Sequence, residues 1–118
     1  MSVIRSSMIA IAMAALSLAS PAQAGSDSRH AVADFKSCAK PHYPAASLEA
    51  KHEGTVDLAF LVDASGAVHE AKINKSSGHD PLDIAARDAI KLCTFKPAVK
   101  NGKAVKEWAN VQYVWTLK

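Results

Sequence analysis

Two cysteines, five histidines and one serine-rich loop are the residues of this 118-residue chain whose types could do chemistry. Cys38 and Cys93 do not form the Cys-x-x-Cys spacing of a redox motif. His30, His42, His52, His69 and His79 are scattered at intervals that match no zinc-ligand pattern. Only His42 and His52 stand close enough, around a short helix, to approach one another, and surface positions are the plainer reading of all five. Ser76-Ser77-Gly78 ahead of a helix start has the composition of an anion cradle, but no phosphate-loop Lys follows, so an ordinary loop is preferred. No motif places a Ser, His and acid set, and hydrolase chemistry has nothing to rest on. The residues predict no enzyme, no cofactor and no metal site. A thiol or metal enzyme is kept only as an alternative that rests on the Cys pair.

Composition narrows the class. With 49% hydrophobic and 21% charged residues the chain is an ordinary globular one, of a length for one domain. A net charge of +3 is too small for a nucleic-acid footprint. Residues 1–24 combine a basic start at Arg5, an apolar run from Met8 to Ala19 and the small-x-small end Ala22-Gln23-Ala24, the three parts of a cleaved export signal. The rival reading is a retained inner-membrane anchor, against which the apolar run falls well short of the roughly 20 residues a spanning helix needs. Export to an oxidising compartment makes a structural disulfide the expected state of Cys38 and Cys93, and two cysteines allow one pairing. Closing that loop stabilises a fold by roughly 4 kcal/mol on the chain-entropy account.

These residues must be carried by a small set of elements. Residues 25–40 read as a flexible leader, polar and aperiodic at first, and residues 41–118 as the folded domain. Pro41 and Pro44 force an extended approach to a short Ala-rich helix over 45–53 that Gly54 ends. Thr55 to Asp63 alternates Val56, Leu58, Phe60 and Val62 against Thr55, Asp57, Ala59 and Asp63, with Leu61 the exception, a half-buried strand. Ala64-Ser65-Gly66 turns the chain into a second strand, Ala67 to Asn74, whose phase slips near His69-Glu70 and so predicts a bulge there. Asp80 is the expected N-cap of a second helix, with Pro81 at its first position and Asp83 at its third. Leu82, Ala85, Ala86, Ala89, Ile90 and Cys93 then form one apolar stripe. Asn101-Gly102 is a turn able to join two short strands. Lys96, Lys100, Lys103 and Lys106 crowd around it, a solvated rim by the plain reading and a surface for anionic lipid or a partner by the other. Trp108 to Leu117 is the third main strand, with Val111, Tyr113, Trp115 and Leu117 on the core side. Directions then require an antiparallel sheet of order 2-1-3 with both helices on one face: an α+β two-layer sandwich whose last strand is an edge.

Tyr43-Pro44-x-x-Ser47, Glu53-Gly54-Thr55-Val56, Phe60-x-Val62-Asp63-x-x-Gly66-x-Val68, Ser76-Ser77-Gly78, Leu82-Asp83-x-Ala85-Ala86, Phe95-x-Pro97-Ala98 and Asn101-Gly102-Lys103, in this order, resemble the C-terminal domain of the TonB family. The sequence looks like family variants with an added Cys pair ahead of Tyr-Pro and ahead of Phe-x-Pro-Ala. The resemblance implies a periplasmic, non-enzymatic domain that takes a short extended segment of an outer-membrane transporter onto its sheet edge. It also implies that the entry residues Lys40, Pro41, His42 and Tyr43 meet that segment, Lys40-Pro41 standing where familiar members carry Gln-Pro. Full members carry energy from an inner-membrane proton channel. Here the apolar run lacks the His of the family's anchor and no Pro-rich spacer follows, so a stand-alone periplasmic binding domain is expected, with an anchored energy transducer as the alternative.

The partner-binding residues expected are therefore the edge strand Trp108, Asn110, Val111, Gln112, Tyr113, Val114 and Trp115, acting chiefly through their backbone. Asn110 and Gln112, on the outer face, are the specificity candidates. Trp108 either caps the core or presents an exposed aromatic anchor. The partner is a TonB-dependent outer-membrane transporter or another envelope protein, and the same edge can pair with a second copy of the chain to give a homodimer.

Overall fold

The computed structural model describes residues 27–118; the expected export segment, 1–24, lies outside them. The chain order is β1 (Val32–Asp34), α1 (Ala45–Glu49), β2 (Gly54–Val62), β3 (Val68–Lys75), α2 (Asp80–Ile90), β4 (Thr94–Lys96), β5 (Ala98–Lys100), β6 (Lys103–Val105) and β7 (Glu107–Trp115). β3, β2 and β7 make an antiparallel three-stranded sheet in that spatial order, the order the strand directions require. The core face of β2 forms as expected, with Val56, Leu58, Phe60 and Val62 completely buried, while Ala59 on the opposite face is buried as well.

Phase slips become bulges. Opposite β2, Leu61 pairs with Glu70 but Val62 with Val68, leaving His69 as the extra residue, which is the expected bulge. A second slip at Asp57/Leu58 passes over Asn74. The turn at Gly66 has φ +89, and an added Cβ there would collide with the Phe95 carbonyl oxygen. Asn101 and Gly102 both take positive φ, 53° and 79°, the type I′ geometry that joins β5 to β6.

The core lies between the sheet and α2. Leu82, Ala86 and Ile90 meet Val56, Leu58, Phe60 and Val62 of β2, Ala109, Val111 and Trp115 of β7, and Phe95 and Ala98. Phe60 and Phe95 pack with ring centroids 5.3 Å apart. Cys93 faces the core as its place in the helical stripe predicts, and it is disulfide-bonded to Cys38 across 55 residues of chain.

Four expectations are corrected. The expected short hairpin of β5 with β6 forms, but a second small antiparallel pair, β1 with β4, adds to the sandwich beyond the strands expected. Of the two helices expected over one face, α2 alone supplies core side chains; α1 spans five residues and buries only Ser47. It stops early because Lys51 enters the left-handed region at φ 56, well before Gly54. Asp80 does not cap α2. His79 occupies that position without a side-chain cap, and Asp83 turns inward instead.

The fourth correction concerns the leader. Arg29 exchanges two backbone hydrogen bonds with Val99, of 2.7 and 2.8 Å, Ala31 is buried, and Ala33 sits opposite Phe95. Glu107 clasps this segment, accepting the Ala31 backbone N–H at 3.1 Å and lying 3.2 Å from His30 Nδ1. Ser37 then locks the turn at Phe35–Ser37 to β4, its hydroxyl accepting the Thr94 backbone N–H at 2.7 Å. Residues 29–38 are thus tied down by pairing to strands more than fifty residues away.

Candidate protein-binding edge

The sheet has two edges, and they are built differently. β3 is interrupted by two bulges and carries His69, Glu70, Lys72 and Lys75, the devices that discourage another strand from pairing. β7 pairs with β2 in unbroken register over nine residues, from Gly54 opposite Trp115 to Val62 opposite Glu107, and Glu107 is its one charged residue. Among the described residues β7 has no strand on its other side. The chain beyond it stays in line because the Leu117 backbone N–H donates to Glu53 Oε1 at 3.0 Å.

The faces of β7 follow the period of two. Ala109, Val111 and Trp115 are buried and Tyr113 half-buried, whereas Asn110, Gln112 and Val114 are exposed. Gln112 is already engaged, its amide donating to Asp57 Oδ1 at 3.1 Å across to β2. Asn110 and Val114 are the outer-face side chains left at the edge. Trp108 lies on this outer face with the Lys72 ammonium 4.3 Å above its ring, which decides between its two readings: it does not cap the core.

Of the four lead-in residues, Lys40, Pro41 and Tyr43 line a groove of about 390 Å³ with Tyr113, Val114, Trp115 and Thr116, so they lie alongside the open edge. His42 is exposed. Tyr43 is the anchor. Its ring meets Trp115 edge-to-face at 4.8 Å, Trp115 meets Tyr113 the same way at 5.0 Å, and its hydroxyl donates to the His52 carbonyl. Burial, aided by the charge of Glu53, pushes the Tyr43 hydroxyl above its ordinary pKa, and burial does the same to Tyr113, so both stay neutral.

Elsewhere the chemistry-bearing residues serve the fold. Ser76 and Ser77 donate their hydroxyls to Asp83, at 2.6 Å for Ser77, and the Ser77 backbone N–H donates at 2.8 Å, so the anion in this loop is the chain's own carboxylate. His52 stacks on His79 at 3.9 Å, the histidine pair the structure brings together in place of His42 and His52. No group of three or more metal-binding side chains occurs among the described residues. Lys96, Lys100, Lys103 and Lys106 are all exposed. What the sequence reading missed is Phe35, Glu107 and the inward, loop-holding role of Asp83, which the sequence placed only as a first-turn acid.

Residues 39–117 match the family described as Gram-negative bacterial TonB protein C-terminal. The chain is 44% identical over 71 residues to Protein tonB2 of Pseudomonas aeruginosa, covering 60% of this chain and 26% of that protein. To Protein TonB of Neisseria meningitidis serogroup C it is 44% identical over 73 residues, 62% of this chain and 26% of the other. It thus spans about a quarter of the length of these relatives. In fold it is similar to the solution structure of the Pseudomonas aeruginosa TonB C-terminal domain, with a TM-score of 0.56 at 22% identity over 75% of this chain and 87% of the other.

Proposed function

This chain belongs to the Gram-negative TonB C-terminal family, and from that premise we propose that it is a non-enzymatic periplasmic binding domain that takes an extended segment of a TonB-dependent outer-membrane transporter as a fourth strand beside β7. The observation that carries the reading is the contrast between the two sheet edges. Natural sheets blunt an exposed edge with bulges and charge, as β3 does here, and β7 has neither over Trp108 to Trp115. An edge left open beside a groove is the geometry of strand addition, in which main-chain hydrogen bonds supply affinity and pockets for alternate side chains supply specificity.

No helix among the described residues is long and apolar enough to cross a membrane. The domain's part in the proposal is capture of the transporter, with the cysteine pair as a structural staple.

The test is a pull-down from detergent-solubilised outer membranes with the wild-type chain and with Gln112→Pro, which removes one main-chain donor from the strand. Asn110→Lys, which keeps the backbone intact and adds an edge charge, serves as the second variant. Retained proteins are identified by mass, and circular dichroism shows that both variants are folded. A transporter held by the wild type and lost from both folded variants supports strand addition. Equal retention by all three places binding elsewhere on the domain, and a wild type that holds no transporter removes the transporter from the proposal.

A further inference from the structure

Beyond the groove at Lys40, Pro41 and Tyr43, the floor opens into an apolar pocket of about 340 Å³ walled by Phe35, Cys38, Ala39, Pro41, Ile90 and Tyr113, with Lys40 at its rim. Tyr113 and Pro41 line both cavities, so the pocket continues the groove beside β7. Two of its walls, Phe35 and Cys38, precede residue 39, where the match to the family begins. They are in place because β1 pairs with β4, Ser37 bonds to Thr94 and Cys38 is bonded to Cys93. Phe35 is 54% exposed although it is held in a turn with fixed hydrogen bonds, an aromatic ring left open beside a cavity.

Period two decides what can reach this pocket. Side chains of a strand added to β7 alternate between the outer face and the core-side face on which Tyr113 lies, so every second residue of the newcomer points toward Tyr113, Ile90 and Phe35. Lys40 makes no ion pair among the described residues. Its ammonium at the rim favours a carboxylate two residues along the newcomer, on the same face as the inserted side chain.

We infer that the pocket of Phe35, Cys38, Pro41, Ile90 and Tyr113 selects the strand that adds to β7, taking one aliphatic side chain of an extended partner segment while Lys40 takes a carboxylate two residues away on the same face. This inference rests on the strand-addition reading and goes further, because it assigns specificity to the disulfide-held extension ahead of the family domain. The occupant is an extended acidic–apolar peptide segment of an envelope partner.

The probes are blocked nonapeptides of Thr with Leu or Ser at the centre, each with Asp or Thr two positions from it, titrated into the full chain and followed by amide shifts along β7. The expected result is Leu over Ser by about tenfold, the worth of roughly two buried methylene groups. Asp is expected over Thr by a few-fold at low salt. Phe35→Ala, at an exposed position that leaves the core intact, is expected to abolish the Leu preference while the Ser peptide still shifts β7. Lys40→Glu is expected to reverse the Asp preference. If Phe35→Ala keeps the tenfold ratio, the pocket is not the selector and strand addition still stands. If no peptide shifts β7 in the wild type, strand addition itself is wrong and this inference falls with it.

Discussion

The Asp83 carboxylate accepts the Ser77 backbone N–H at 2.8 Å, one of three hydrogen bonds that pin the loop between β3 and α2 to the helix. Asp83 is 2% exposed on a helix that otherwise buries alkyl groups, and both serine hydroxyls of the loop also donate to it. A buried charge is tolerable when its lone pairs are occupied, and here three donors occupy them.

Asp83→Ala leaves three donors without their acceptor, and the expected loss of stability is roughly 3 kcal/mol. Urea unfolding followed by far-ultraviolet circular dichroism measures it, with a lower midpoint and an unchanged slope expected. A loss within about 0.5 kcal/mol of zero would mean that water replaces the carboxylate at no net cost.

Acid should act through the same group. Burial alone would raise the Asp83 pKa, but the Ser76 and Ser77 hydroxyls and the Ser77 N–H outweigh it and hold it below the ordinary carboxylate value. Glu107 is lowered too, first by the Ala31 N–H, and Asp63 is lowered by Ser65, His69 and Ala67. Between the folded and unfolded pKa values the unfolded chain binds more protons, so this stability is complete above about pH 4 and is lost as pH falls through the folded values. Thermal melts between pH 7 and pH 2 should show the midpoint dropping steeply below pH 4, and less steeply in Asp83→Asn. Parallel curves for the two proteins would remove Asp83 from the acid response.

Breaking the disulfide should loosen one end of the molecule before the rest. The Cys38–Cys93 bond closes a 55-residue separation, and its removal in the doubly substituted Cys38→Ser, Cys93→Ser chain is expected to lower stability by about 4 kcal/mol. Hydrogen exchange should rise first at β1 and β4, whose pairing spans three residues each, while β2 and β7 stay protected. Uniform loss of protection across all strands would show the staple to be global instead.

Trp115 separates shape from polarity. Its ring is buried against Tyr43 and Tyr113, yet its indole N–H meets no hydrogen-bond acceptor among the described residues. Trp115→Ala is expected to lower stability by roughly 3–5 kcal/mol, because it opens a cavity under the groove. Trp115→Phe keeps a ring and removes the unpaired donor, so its loss should stay below about 1.5 kcal/mol. Equal losses in the two variants would contradict this division.

Much of the molecule is legible in local pattern, because alternation, turn chemistry and helical spacing act within a few residues of chain. Val56, Leu58, Phe60 and Val62 declare β2, Gly66 and Asn101-Gly102 declare their turns, and the slipped phase at His69 declares its bulge. Once strand directions are set, the sheet order with β7 at its edge follows as well. Tertiary structure alone decided the rest. Val32 to Asp34 is too short for any periodicity, and becomes a strand only because β4 offers it a partner sixty residues on. Asp83 looks like a first-turn acid until the serine loop closes over it, and Phe35, Cys38 and Ile90 come together beside the lead-in residues and Tyr113 in a way that no local spacing relates. Side-chain alternation records which face of an element is apolar; which distant groups meet there depends on long-range packing, and that leaves no local trace.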